Sequence, residues 1–538
     1  FFLLILSYFK NLQQRWKLVG AVVLSSIIPC GYGLVQILGL DPMLYSEITN
    51  RTFSTLGQPN FFGYYLLLVL PVTVYSLLFV VKRWWSRLLI IILLLAQLIC
   101  LFGTYSRGAW LGLLAMIVIG CLLWLWIKQK KRLAIIITSL LLLITIIVLA
   151  QQSVIGQQAQ KLAEQTDNQL TERLLSMFYL DSGSNQARFS YWQAGWQTVL
   201  NASWPRWLIG YGKGQQKLFT ALSYQSDWSL YEQLNFYPDR FHNIFLDTWL
   251  ELGWLGIIAY LVLFFYILRL IWPKLQENYL ALFIIITLLG QIVANLFSFG
   301  TTVHYLFWYL FLAWLVLLSR EEQLEMNYLI PLYQLRPMVR GIIALALVIF
   351  IAWFAYWFSL KPYQADGYYL QVKQAITDSD CQAVINNMNQ VIKTYPQSIF
   401  YQAEYLAMAN SCFVQMDNAL AVDNLTANVL DRIEVLQTYD NLEYDVQLNI
   451  AQAYGQLGLY FAESYYALAK QQYEQLIKSA PNISSAYLTY AGLYLQQGQV
   501  EQARVIAERG LAVLADYHLK PATTTNSKLL RQEKEKFS

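Results

Sequence analysis

Residues 126–150 read WIKQKKRLAIIITSLLLLITIIVLA, and this stretch decides the fold. Lys128, Lys130, Lys131 and Arg132 crowd its front, and no charged residue follows between Leu133 and Ala150. A bilayer-spanning helix needs roughly 20 mostly apolar residues. Basic residues in a short flanking loop mark the cytoplasmic end of such a helix. The stretch therefore predicts a helix that enters a membrane from its cytoplasmic side.

Similar apolar runs predict spans near 17–40, 61–81, 88–104, 108–127, 133–150, 244–271, 279–299, 305–318 and 341–360, with 88–104 and 305–318 short. Residues 1–9 are apolar too, and the chain opens on Phe1. They are expected to be the remains of an earlier helix with sequence upstream of it, a signal peptide being the alternative. Hydrophobic residues make up 57% of the chain, charged residues 13%, and the mean hydropathy is +0.39. A soluble protein would carry about a quarter charged residues. The charge also shifts along the chain, with ordinary polar composition only after about residue 360.

The expected architecture is all-α: a polytopic transmembrane bundle over 1–360, then a helical domain over 361–520. A long external loop at about 151–243 interrupts the bundle, and residues 521–538, rich in Thr, Lys and Glu, read as a disordered tail. The net charge of +4 gives no reason to expect a nucleic-acid partner.

Lys and Arg set the orientation. Lys10, Arg15, Lys17, Lys82, Arg83, Arg87, Lys128, Lys130, Lys131, Arg132, Arg269, Lys274, Arg320, Arg336 and Arg340 fall on one side of the membrane, against Arg51 and Arg107 in the short loops of the other. The first set is cytoplasmic by this count. The long loop and the domain after 360 are then extracytoplasmic. Cys30, Cys100 and Cys121 lie in apolar runs as small filler. Cys381 and Cys412 lie where an oxidising compartment permits a disulfide, which spacing alone does not decide.

After 361 the chain reads as paired amphipathic helices. From Ala486 to Leu511, the residues Tyr487, Tyr490, Ala491, Tyr494, Gly498, Ala503, Ala507 and Gly510 match the tetratricopeptide pattern, whose small residues let antiparallel helices approach. A second unit ends in Ala469, Tyr473, Leu476 and Pro481, and a weaker one near Pro396. Such a stack offers a concave surface for a peptide, protein or glycan. Asp378-Ser379-Asp380 has the form of an Asp-x-Asp metal site but reads better as a solvated turn between helices.

Few residues are equipped for chemistry. The chain has three histidines, and His242 stands where the long loop re-enters an apolar run, preceded by Arg240 and followed by Asn243. Its imidazole can take a proton near neutral pH. His304 is a weaker candidate of the same kind. Asp247 and Glu251 sit one turn apart after His242, and Glu251 is placed to orient His242 or an arginine. Arg107 lies in a tight external turn, where it works against the helix dipole and where a snorkelling role is the plain alternative. Arg188 lies among aromatic residues, with Trp192 four positions on. Gly210-Tyr211-Gly212-Lys213-Gly214 lacks the context of a P-loop, so its Gly212 is a candidate only for backbone contact to a diphosphate. No metal-ligand spacing occurs in the sequence, and no cofactor is expected.

Four segments resemble the O-antigen ligase-like family of membrane glycosyltransferases. Thr55-Leu56-Gly57-Gln58-Pro59-Asn60-Phe61 is similar to its Gly-Asn-Pro-Asn turn, with Gln58 in place of an Asn. Ser106-Arg107-Gly108-Ala109 resembles its Ser-Arg-Gly-Ala segment. Arg188 with Trp192, and the Gly210–Gly214 turn, resemble its large periplasmic loop. His242-Asn243, nine residues, then Gly253 and Gly256 match its histidine motif in spacing.

The resemblance implies transfer of a glycan from a polyprenyl diphosphate to an acceptor hydroxyl in a bacterial inner (plasma) membrane, without metal. Arg107 and Arg188 would hold the diphosphate and His242 would act on the acceptor, with Arg240, Asn243, Glu251, Gly212 and Trp192 lining the substrate site. The implied partners are the lipid-linked donor, membrane lipids and an acceptor that is a lipid, a glycan or a protein. A protein partner on the repeat domain is a further candidate. The non-enzymatic alternative is a transporter or an envelope-assembly scaffold. A transporter more often carries internal repeats and midplane charges, of which Asp247 and Glu251 are the sole hint.

Overall fold

The structure, a computed structural model, describes residues 2–8, 12–41, 51–166, 168–178, 183–225, 228, 235–319, 336–415, 419–439 and 442–515. The expected tail at 521–538 lies outside the described residues, as do Lys10 and Arg320 of the basic loops. Among the described residues the regular structure is helical throughout, without a strand.

Among the described residues, eight helices are long and apolar enough to cross a membrane: Trp16–Ile37, Pro59–Val80, Trp84–Gly103, Arg107–Ile127, Lys131–Val148, Ile244–Lys274, Thr302–Ser319 and Pro337–Thr377. Tyr279–Asn295 is apolar but shorter. Each predicted span falls on one of these nine, and the chain is a multi-pass membrane protein. The run expected to be short at 88–104 starts instead at Trp84, because Trp84, Trp85 and Arg87 join its first turn. Tryptophan and arginine are ordinary residues at a membrane–water boundary, and Arg87 Nε donates back to the Val81 carbonyl at 2.9 Å.

The chain divides into two compact units. The first comprises Phe1–Gly214 and Arg240–Leu329; the second, Gln215–Asp239 and Ile330–Ser538. The second unit thus takes in a piece of the long loop and the apolar helix near 337–355, besides the stretch from 361 that the composition set apart.

Besides Phe2–Tyr8 and Gln152–Glu164, the helices of the first unit include α1 (Leu12–Ser25), α2 (Ile27–Ile37), α3 (Pro59–Tyr75), α4 (Trp84–Gly103), α5 (Arg107–Ile127), α6 (Lys131–Ala150), α7 (Gln169–Leu175), α8 (Gly183–Leu200), α9 (Trp204–Ile209), α10 (Ile244–Ile271), α11 (Tyr279–Asn295) and α12 (Thr302–Ser319). α3 is the central one, buried without a break from Phe62 to Thr73. It starts where Gly57 takes φ 75° and Pro59 occupies the first turn, a position that costs proline nothing because its N–H would be unpaired there.

Membrane helices gain little from apolar contact alone, so close backbone approach and polar links decide their packing. On α5, a Cβ at Gly112 would stand 2.9 Å from the Ala294 Cβ and 3.2 Å from the Gly290 carbonyl of α11. On α4, the fully buried Gln97 donates to Ser26 Oγ at 2.8 Å and to Thr73 Oγ1 of α3 at 3.0 Å. The first contact fixes the depth of α5, and hence the height of Arg107 at its first residue.

The second unit contains α13 (Pro337–Ala355), α14 (Lys361–Thr377), α15 (Cys381–Thr394), α16 (Ile399–Cys412), α17 (Ala419–Gln437), α18 (Tyr444–Tyr460), α19 (Tyr465–Ser479), α20 (Ser484–Gln496) and α21 (Val500–Ala515). α14 pairs with α15, α18 with α19, and α20 with α21. Gly458 of α18 lets Tyr466 of α19 lie close, since a Cβ there would meet the Tyr466 ring at 2.5 Å. Tyr473 and Tyr490 stack at 5.0 Å between α19 and α20. Cys381 and Cys412 form a disulfide that joins the start of α15 to the end of α16. Asp378-Ser379-Asp380 is a turn: Asp380 caps α15 by accepting from Ala383 N–H at 2.9 Å, and Ser379 has φ 56°.

Candidate functional site

The site assembles around α8. Ala187, Tyr191 and Ala194 of that helix are buried, and Gly195 lies so close to Phe241 that a Cβ there would meet the ring at 2.8 Å. Phe241 is itself fully buried. This contact pins the residue before His242 to α8. Trp192 Nε1 then donates to the His242 carbonyl at 3.4 Å, and the imidazole lies between Tyr191 and Phe299, with ring centroids 6.3 and 5.4 Å away. Arg188 sits one helical turn before Trp192.

The backbone at His242 is held in an uncommon state. Its φ is 55°, a left-handed conformation that non-glycine residues adopt only under constraint. The constraint is visible on both sides. Phe241 N–H donates to Asp247 Oδ1 at 3.0 Å, a bond made inside the protein. Asn243 caps α10 by accepting from Phe245 and Leu246 N–H at 3.0 and 3.2 Å, and its Nδ2 donates to the Leu296 carbonyl at 3.2 Å. Asn243 is thus a helix cap with a second grip on the end of α11.

Glu251, one turn below Asp247, pairs with Arg240 at 2.8 Å. Of the two roles the sequence offered it, the contact to an arginine is thus present. The Arg240 guanidinium also lies over the Phe299 ring at 5.5 Å, so His242 and Arg240 share that aromatic surface.

The glycine turn has a structural task. α10 breaks at Gly253, which has φ 62° and ψ −169°. The carbonyls freed near the break accept from the loop: Tyr211 N–H donates to Leu250 O at 2.8 Å and Gly212 N–H to Glu251 O at 3.1 Å. Two amides of the turn are thereby committed to α10.

Three cavities adjoin one another through shared lining residues. The first, of about 210 Å³, is lined by Arg107, Asn185, Arg188, Trp192 and Phe297 among others. The second, of about 450 Å³, shares Trp192 with it and adds Asn243, Phe245 and Leu296. The third, of about 600 Å³, shares Phe245 and Leu296 with the second and runs between α10, α11 and α12. Its wall is apolar (Leu252, Ile257, Leu261, Phe264, Ile292, Trp308), with Lys213, Glu251, Asn295, His304 and Tyr305 as polar members. His304, the weaker histidine candidate, is buried with its ring against the Asn295 amide nitrogen at 3.2 and 3.4 Å.

Positive charge gathers at the first cavity. Arg107 Nη1 donates to Ser176 O and Oγ at 3.1 and 3.2 Å, which fixes its guanidinium beside α7. Arg51 Nε donates to Thr104 O at 2.9 Å and Nη2 to Asn60 Oδ1 at 3.2 Å. Burial, reinforced by Arg173 and Arg188, pushes the Arg51 guanidinium down to about 10. Arginines that oppose one another in this way form a field suited to an anion.

Of the residues singled out in the sequence, Arg107, Arg188 and Trp192 line one cavity. Arg240, His242, Asn243 and Glu251 form the adjoining cluster, and Gly212 supports α10 from outside. Arg51, Arg173, Tyr191 and Phe299 were not anticipated. They come from four separate segments, and no spacing relates them to His242.

Residues 89–261 match the family described as O-antigen ligase. This stretch runs from α4 into the second half of α10 and holds every site residue named in the preceding paragraph except Arg51 and Phe299. Over that stretch, in a multi-pass helical bundle, the chain is similar to the O-antigen ligase family. No curated protein and no solved structure matches the chain.

Proposed function

We propose that the protein transfers a glycan from a polyprenyl-diphosphate carrier to an acceptor hydroxyl at the extracytoplasmic face of the membrane. The observation that carries this reading is the arginine-lined cavity, joined through Trp192 to the backbone of His242. Arg107 and Arg188 hold the diphosphate and neutralise the charge that grows on it as it leaves. The acceptor oxygen attacks the anomeric carbon, and the bond from that carbon to the diphosphate oxygen breaks. The hydroxyl proton passes to His242. The charge is carried by arginine in this scheme, without a metal ion.

The larger groove supports a lipid-borne substrate, because its wall is apolar where α10 and α12 cross the membrane. The disulfide at Cys381–Cys412 supports an extracytoplasmic second unit, since such bonds persist in oxidising compartments. The basic loops support the same orientation.

The test is glycan transfer in membranes that contain wild type, His242→Ala or Arg188→Ala at matched expression. The donor is a labelled polyprenyl-diphosphate glycan. Label should move into a lipid, polysaccharide or protein fraction in wild type and fall by about 10²-fold or more in each variant. Equal transfer by all three would overturn the assignment.

A further inference from the structure

Where the long loop packs on α10, the contact is made largely by tryptophan. Trp196 of α8 and Trp207 of α9 both set their rings against Trp249 of α10, with centroids 5.5 and 6.0 Å away. Trp254 closes the group, 4.7 Å from Trp249 and 5.7 Å from Trp207. Around this cluster the apolar side chains are uncovered. Leu200, one turn after Trp196, is 54% exposed, and Trp204 and Ile209 at the two ends of α9 are 75% and 56% exposed. Leu252 and Leu255 of α10 are exposed as well. Large apolar side chains gathered on one exposed face mark a surface that meets something other than water.

α9 is held at a fixed height on α10. Tyr211 and Gly212, just after it, donate their N–H groups to the carbonyls of Leu250 and Glu251. Trp249 Nε1 donates to the Trp207 carbonyl at 3.4 Å. Arg269, exposed near the other end of α10, marks one membrane boundary. Trp249 precedes it by 20 residues, a rise of about 30 Å along a helix. The hydrocarbon core is about 30 Å thick, so the tryptophan cluster stands at the opposite boundary, where indole rings are favoured. α9 also has two sides. Trp204 and Arg206 are two residues apart, about 200° around a helix, and Arg206 is exposed with its guanidinium 5.5 Å from the Tyr211 ring centre.

We propose that residues 196–209 are a membrane-surface element of the long loop. Leu200, Trp204 and Ile209 enter the lipid at the boundary opposite Arg269, and Arg206 meets the phosphate layer above them. Two observations select the bilayer as the occupant of this face. The patch continues into the lipid-facing wall of α10, where Ile258 and Val262 are exposed. Its tryptophan and arginine are side chains that settle with an apolar body in lipid and a polar tip in the headgroups. The loop is then not wholly external, and the turn at 210–214 starts from the membrane surface. The inference is independent of the proposed reaction.

The test is the depth of nitroxide labels on Leu200→Cys, Trp204→Cys and Arg206→Cys, in the full chain in phospholipid nanodiscs. Cys121→Ser removes the exposed thiol. Collisions with oxygen, which concentrates in lipid, are compared with collisions with a water-soluble nickel chelate. Labels at 200 and 204 should favour oxygen severalfold more than a label on Gln160→Cys, an exposed position elsewhere in the loop. The label at 206 should lie shallower than the one at 204. A label at 200 or 204 with the water access of the one at 160 would overturn the proposal. So would shielding of both from both reagents, since a protein surface would then cover the face. Equal depth at 204 and 206 would overturn the orientation given to α9.

Discussion

Gly210 and Gly253 interlock across the break in α10. Gly210 has φ 76° and ψ −171°, and Gly253 has φ 62° and ψ −169°, a region open essentially to glycine alone. A Cβ on Gly210 would stand 2.4 Å from the Glu251 carbonyl carbon, and one on Gly253 would stand 2.2 Å from that of Leu208. Each glycine leaves room for the other's backbone. Gly253→Ala must therefore lose the turn from α10 as well as strain its own residue. The expected cost is about 3 kcal/mol or more. Gly212→Ala meets no atom within 4 Å and suffers only from its φ of 97°, so it should cost about 1–2 kcal/mol. Thermal unfolding in detergent compares the two, and equal losses would show that backbone approach is not what Gly253 provides.

Asp247 Oδ1 accepts from the N–H of Phe241, the residue before His242. Asn at this position keeps a carbonyl oxygen that accepts the bond, whereas Leu leaves a buried amide unpaired at about 1–3 kcal/mol. Transfer should survive in Asp247→Asn at a reduced rate and fall at least about tenfold further in Asp247→Leu, mainly in kcat. Similar rates for the two variants would mean that the carboxylate acts in another way.

The Arg240–Glu251 pair is mostly buried on the Glu251 side, while a quarter of Arg240 is exposed. Removal of one partner from a buried pair costs about 3–5 kcal/mol, and solvent at Arg240 lowers that to about 2. Glu251→Gln and Arg240→Gln should each destabilise by that order, and the double variant by less than the sum. A double-mutant cycle measures the difference, and simple additivity would show the two to be independent.

The disulfide closes a sequence separation of 31 residues between Cys381 and Cys412. Closure of a loop of that length stabilises by about 2–4 kcal/mol. Reductant should lower the unfolding temperature of the second unit, and Cys381→Ser with Cys412→Ser should reproduce the shift. No response to reductant in a protein isolated from membranes would place these thiols in a reducing compartment, against the proposed orientation.

The spans were legible in the sequence because a membrane demands about 20 apolar residues whatever the fold, and a stretch such as 133–150 meets that demand without context. His242 stands out in the sequence through its rarity and its motif, but neither shows that Tyr191 and Phe299 flank it. Helical pairing near Ala486–Leu511 followed from small residues at fixed offsets. Arg51 and Phe299 were not legible, because their place beside Arg188 and His242 depends on turns that bring distant segments together. The glycine turn was open to a phosphate-binding reading, since sequence shows that Tyr211 and Gly212 have amides but not that Leu250 and Glu251 need them.

A membrane helix tilts as the bilayer around it thickens or thins. Were α10 straight, its lipid-facing length would act as a lever with His242 at the far end. The break at Gly253 interrupts that lever, and the turn from residues 208–212 clamps the short arm. The histidine is thereby insulated from the bilayer in which the rest of its helix is dissolved.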